Sequence, residues 1–196
     1  MAPHGPRPPL TAPRPGSRAG RRRLGAAAAV LCTLMLAAPA VPAQNEASEE
    51  ALRAAVVFNL ARFAEWPPQA FAVAEAPLTL CTVGATAEQN EAFMALAGRM
   101  IGNRPLQLRA NIGTREIGDC RILFVGRADE AWIEAGRRPY LLSVGVGLAF
   151  AEGGGVVGLY RSGDRLRFAV NLKSMQSAGI RIGSQALQLA RIVGER

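Results

Sequence analysis

The chain has 196 residues, with 23 Lys and Arg against 15 Asp and Glu, a formal charge of +8. Six arginines and no acid lie in residues 1–43, so the remainder carries 17 basic and 15 acidic side chains, a balance of +2 that gives no argument for nucleic acid. The single histidine, His4, lies in the same segment, which leaves the rest without the commonest general base and metal ligand.

Residues 1–23 are rich in Pro and Arg and end in Arg21, Arg22 and Arg23; "LGAAAAVLCTLMLAA" (Leu24–Ala38) follows, uncharged and apolar. "APAVPAQ" then offers small-x-small sites ending at Ala40 and Ala43. A basic start, a short apolar run and a small-residue site predict a secretory signal peptide over residues 1–43. The competing reading is a retained membrane anchor, for which the run is short and alanine-rich. Residues 44–196 then form one domain, long enough for its own core.

In chain order, Ser48 is the expected cap of a first helix, with Glu49 and Glu50 at its positive end. Leu52, Val56, Leu60 and Phe63 form one stripe, while Val57, Phe58, Ala61 and Ala64 leave little polar surface elsewhere. A helix apolar nearly all round needs covering on more than one side, by its own domain or by a partner. Pro67 and Pro68 end it. "APLTLCTVG" predicts a buried strand, "EQNEAFMALAG" a helix stopped by Gly98, and "RPLQLRA" a half-exposed strand. "CRILFVG" is a third strand, "ADEAWIEAG" a short helix and "PYLLSVG" a fourth strand. "GVVGLYRSGDRLRFAVNL" predicts a hairpin about Ser162-Gly163-Asp164, and "LKSMQSAG" and "SQALQLARIV" close the chain as helices, the second capped by Ser184. Strands alternating with helices indicate an α/β domain with a mixed, largely parallel sheet and a C-terminal hairpin plus helices.

No enzyme emerges from the residues. "GVGLAF" (Gly145–Phe150) begins like a dinucleotide fingerprint but lacks the third glycine, and reads as a tight connection into the hairpin. Cysteine catalysis lacks a histidine base, there is no C-x-x-C, and no serine sits in a nucleophile elbow. Lys173, the sole lysine, is one helical turn from Ser177, a spacing that is ordinarily solvated. The acid pairs Glu49/Glu50 and Asp129/Glu130 fall at helix starts, where capping explains them. Cys81 and Cys120 are disulfide candidates in an exported chain, with two reduced, buried thiols as the alternative.

The stretches "VVFNLARFAEWP", "LTLCTVG", "DCRILFVG", "GLAFAEGGGVVGLY", "LRFAVNL" and "AGIRIGSQALQLARIV" together, from about Glu49 to Val193, resemble the YfiR-like family of exported bacterial proteins. The resemblance implies an α/β/α sandwich in the periplasm, commonly a homodimer; the residues themselves offer no metal cluster, no cofactor motif and no catalytic set. It implies a regulator that binds the periplasmic region of an inner-membrane diguanylate cyclase and represses it, which lowers cyclic-di-GMP and restrains biofilm formation. An outer-membrane-anchored protein that sequesters the repressor is implied with it. So is a bridge between Cys81 and Cys120 that couples stability to periplasmic redox state; the best-known repressor's second disulfide has no cysteines here. The strands read above put Cys81 late in one strand and Cys120 at the start of another, an offset that can exceed the roughly 7 Å Cα limit for a bridge.

Phe63, Trp66, Pro67, Ile180, Ile182 and Gln185 are the expected partner-contact or switch residues. The last three enter only because "GIRIGSQALQLA" is one of the resembling stretches, and a buried core helix is the alternative for them. The alternative function is a periplasmic small-ligand-binding sensor acting on another membrane receptor, such as a histidine kinase.

Overall fold

The structure, a computed structural model, describes residues 48–127 and 129–194. These lie in a unit spanning Asn45–Arg196, and the expected signal peptide lies outside the described residues.

Helix α1 (Glu49–Phe63) begins at its expected cap: the Ser48 hydroxyl accepts from the Ala51 N–H at 3.1 Å. Glu49 and Glu50 both pair with Arg53 in the first turn. The helix stops at Phe63, and Ala64–Glu65 becomes strand β1. Pro67 drives Trp66 to extended backbone and prevents any continuation.

The middle of the chain alternates as the pattern predicts. β2 (Leu78–Val83) is buried at every position, and α2 (Ala87–Met94) opens with a capping box between Thr86 and Gln89. β3 (Met100–Ile101) folds back antiparallel on β4 (Arg104–Arg109). β5 (Ile122–Val125), α3 (Glu130–Ala135, capped by the Asp129 side chain) and β6 (Leu142–Val146) follow. β7 (Val157–Ser162) and β8 (Arg165–Asn171) form the expected hairpin, closed by Gly163 at φ +58° and Asp164. α5 (Leu172–Ser177) then leads to the two-residue strand β9 (Arg181–Ile182).

Two expectations are corrected. "GVGLAF" is more than a tight connection: α4 (Leu148–Glu152) lies between β6 and β7, which run parallel with Val144 beside Val157, so a short crossover forms. The Phe150 ring of α4 fits between Gly145 and Gly155, where a Cβ at either position would overlap it. "SQALQLARIV" is not one helix. α6 covers only Ser184–Leu187, with Gly183 rather than Ser184 as its N-cap, and Arg191–Val193 is strand β10, parallel to β8. A short apolar run suits helix or strand equally, and here the open edge of β8 decides.

The main sheet has eight strands in the order β10-β8-β7-β6-β5-β2-β4-β3, with antiparallel pairs only at β7–β8 and β3–β4. One face carries α1, α2, α5 and α6 over a core that includes Phe58, Phe93, Phe124 and Ile180. The other is covered by α3, α4 and a 3-10 turn at Thr114–Asp119, over Cys81, Leu123, Val125 and Phe150. This is the three-layer α/β/α sandwich expected.

Candidate functional site

The α1 stripe divides between interior and surface. The core side of the helix is Ala54, Val57, Phe58, Leu60 and Ala61, whereas Leu52 is 45% and Phe63 42% exposed, with Val56 half-buried between them. Leu60 alone of the stripe enters the core. The apolar character all round α1 thus reflects one face for the sandwich and a second line left at the surface.

At the end of that line the chain meets its own C-terminal third. β1 pairs antiparallel with β9, Ala64 beside Ile182 and Glu65 beside Arg181. The Gly183 N–H donates to the Phe63 carbonyl at 2.9 Å. The two stretches singled out from sequence, far apart in the chain, are therefore one surface ribbon. Of the six expected contact residues, Phe63 and Gln185 are exposed, Trp66 and Pro67 are half-buried, and Ile180 and Ile182, 2% and 4% exposed, lie beneath in the core.

Trp66 is held rather than free. Its indole Nε1 donates to the Tyr140 carbonyl at 3.1 Å, and its ring packs on the core. Tyr140 sits at φ +62°, a left-handed conformation costly for a residue with a Cβ. Its N–H donates to the Ala178 carbonyl at 2.7 Å, so the strained residue is tied at both peptide groups. Beside Trp66 a shallow groove of about 180 Å³ runs past Phe71, Leu78, Ile101 and Arg104. The Arg104 guanidinium lies 3.5 Å from the Phe71 ring centroid, a cation–π contact that forms one wall. Tyr140 and Arg104 were not singled out from sequence, since neither a positive φ nor a cation over a ring has a local signature.

The second centre is the Cys81–Cys120 disulfide, with Cα atoms 5.8 Å apart. The expected offset does not arise, because Cys120 is not at the start of a strand. It ends the 3-10 turn, which folds over the sheet face and returns the sulfur to β2, while β5 begins only at Ile122. Arg109 of β4 holds the same turn from outside, pairing with Glu116 at 2.8 Å and Asp119 at 3.3 Å. The Gly113 N–H donates to the Glu116 carboxylate at 2.9 Å, and this bond is the main reason that carboxyl lies below its ordinary value; desolvation opposes it, and the Arg109 charge and hydrogen bond add smaller contributions in its favour.

A further cleft of about 300 Å³ is lined by Arg137, Asn171, Lys173, Ser174 and Ser177 among others. Arg137 is committed to Glu134 and to the Gly153 carbonyl, and Ser174 donates to the Gly154 carbonyl. Among the described residues no three His, Cys, Asp or Glu side chains are grouped to hold a metal ion, and no helix is long and apolar enough to cross a membrane.

The ordered stretches, the sandwich and the bridge converge on a family whose model, described as YfiR/HmsC-like, matches residues 50–191. The chain belongs to the YfiR/HmsC-like family. No protein in a search of curated sequences matches it. Among solved structures, a similar chain is an ABC domain in complex with L-Trp from Streptococcus pneumonia, at 13% identity and a TM-score of 0.46. The match covers 70% of this chain and 62% of that one, so this chain spans less than two thirds of its length, and the likeness is too slight to carry an argument.

Proposed function

We propose that the chain is a non-catalytic periplasmic regulator that binds the periplasmic region of an inner-membrane diguanylate cyclase and represses it. The observation that carries this reading is membership of the YfiR/HmsC-like family over nearly all of the described domain. It implies lower cyclic-di-GMP and restrained biofilm formation while the protein is bound, and release when an outer-membrane-anchored protein sequesters it. The contact surface is the ribbon where α1 meets β9, with Phe63 as its apolar anchor, Trp66 and Pro67 fixing the backbone and Gln185 at the rim. Aromatic side chains, Phe among them, are enriched at the centres of protein interfaces. The Leu52–Val56–Phe63 line of α1 is the proposed homodimer or partner face.

Co-purification of residues 45–196 with the periplasmic region of a neighbouring membrane cyclase tests the reading. Binding that Phe63→Ala weakens while the domain stays folded supports it, as does a rise in cyclic-di-GMP on gene deletion. Absence of binding by a folded domain, with unchanged cyclic-di-GMP in cells expressing the cyclase, refutes it.

The cleft beside α5 favours a second reading, a small-ligand sensor acting on another receptor such as a histidine kinase. Its volume is at the lower end for small-molecule sites. Calorimetry with a metabolite panel separates the two, because a sequestering repressor needs no ligand.

A further inference from the structure

The outer half of the β7–β8 hairpin extends past both neighbouring strands. β6 is paired with β7 only as far as Leu159, and β10 with β8 only from Ala169 onward. Along β8, Leu166 and Phe168 pack toward the α1 side, so the exposed Arg165 and Arg167 project from the opposite face. Ile192 of β10 also packs toward the α1 side, and exposed Arg191, beside Ala169, shares the face of Arg165 and Arg167. Tyr160, opposite Arg167, lies on it as well.

Strand geometry sets the spacing. Arg165 and Arg167 are about 7 Å apart along β8, and Arg191 continues the row about 5 Å to the side on the next strand. Among the described residues no carboxylate is within ion-pair distance of any of the three. The one paired arginine of the hairpin, Arg161, faces the other way, 3.3 Å from Glu49. Asp164 stands in the turn itself, and Glu152 ends α4 at the far end from the tip. For a domain of nearly balanced charge, three guanidiniums on one sheet face with no acidic partner among the described residues are a concentrated positive surface.

We propose that this face, Arg165, Arg167 and Arg191 with Tyr160, seats the domain on an anionic phospholipid bilayer. A planar row of cations complements a plane of phosphates. The face lacks the apolar centre typical of protein interfaces, whereas a charged bilayer attracts surface arginines with no such centre. It shares no residue with the ribbon proposed to contact the cyclase. The two proposals therefore fail separately.

The test is sedimentation of residues 45–196 with vesicles of equal parts phosphatidylglycerol and phosphatidylcholine, and with phosphatidylcholine alone. Binding is expected only to the first, weakened on the order of 100-fold by Arg165→Gln, Arg167→Gln and Arg191→Gln together. The Lys versions should retain it, and it should disappear as salt rises from about 0.1 M to about 1 M, where the screening length falls to about 3 Å. A thermal melt of the Gln variant checks that it is folded. No binding to the anionic vesicles overturns the proposal, as does binding indifferent to the three substitutions. Capture of soluble poly-glutamate without vesicle binding also overturns it, and reassigns the face to an acidic protein.

Discussion

The indole Nε1 of Trp66 donates to the carbonyl oxygen of Tyr140 at 3.1 Å, and Tyr140 holds a left-handed backbone at φ +62°. The side chain that looks most like a free docking anchor in the sequence is thus part of the scaffold, fastening the exit of α1 to the loop before β6. Phe63, three residues earlier, is the aromatic left with much of its surface in water. Packing and docking are divided between these two residues.

Substitution separates the roles. Trp66→Phe keeps an aromatic body but leaves the Tyr140 carbonyl without its donor, and should cost about 1 kcal/mol; Trp66→Ala should cost roughly 2–3 kcal/mol, since the ring packs on the core. Phe63→Ala should stay within about 1 kcal/mol of wild type. Urea unfolding of the three variants checks this, and a large loss for Phe63→Ala would return that residue to the core.

The β9–α6 stretch allows a parallel comparison. Ile182→Ala removes a nearly fully buried side chain beside Ala64 and should cost roughly 2–5 kcal/mol. Gln185→Ala, at an exposed position, should change stability by no more than about 0.5 kcal/mol. If Gln185→Ala alters partner binding at unchanged melting temperature, it is a contact residue. Weaker binding by Ile182→Ala would instead be read through the ribbon it supports.

The Cys81–Cys120 bridge closes a loop with a sequence separation of 39, for which the chain-entropy model gives about 4 kcal/mol. For a domain of this size that corresponds to a fall in melting temperature of roughly 10 °C when the bond is reduced or both cysteines are replaced by Ala. Calorimetric melts with and without reductant measure it. The core beneath α1, α2, α5 and α6 contains neither cysteine, so the reduced domain should still fold.

Glu116 predicts a pH dependence. Its folded carboxyl is held below the ordinary value, first by the Gly113 N–H and then by Arg109. A depressed value means that the folded state favours the ionised form. Its contribution is complete above the ordinary glutamate range and is lost as pH falls through the folded value. Glu116→Gln should therefore melt lower than wild type at about pH 7, with the gap closing as pH falls below the ordinary glutamate range. A gap that persists at the acid end would show that charge is not its source.

Much was legible from the residues alone. Alternating strand and helix patterns, the Ser48 cap, the proline stop after α1 and the glycine turn of the hairpin are all local, each acting within a few residues, and they yield the α/β order; the family came from the resemblance of whole stretches in a fixed order. The tertiary structure alone decided which distant segments share a surface. Phe63 and Gly183 meet through a backbone bond that no periodicity encodes. "RIV" became strand β10 because β8 offered an unpaired edge, where an isolated run of that length fits either state. Cys120 reaches Cys81 because a 3-10 turn folds over the sheet, a path set by packing rather than by strand register. Side-chain pattern specifies what each segment is, while pairing and coverage depend on the other segments available to it, and only the folded chain brings those together.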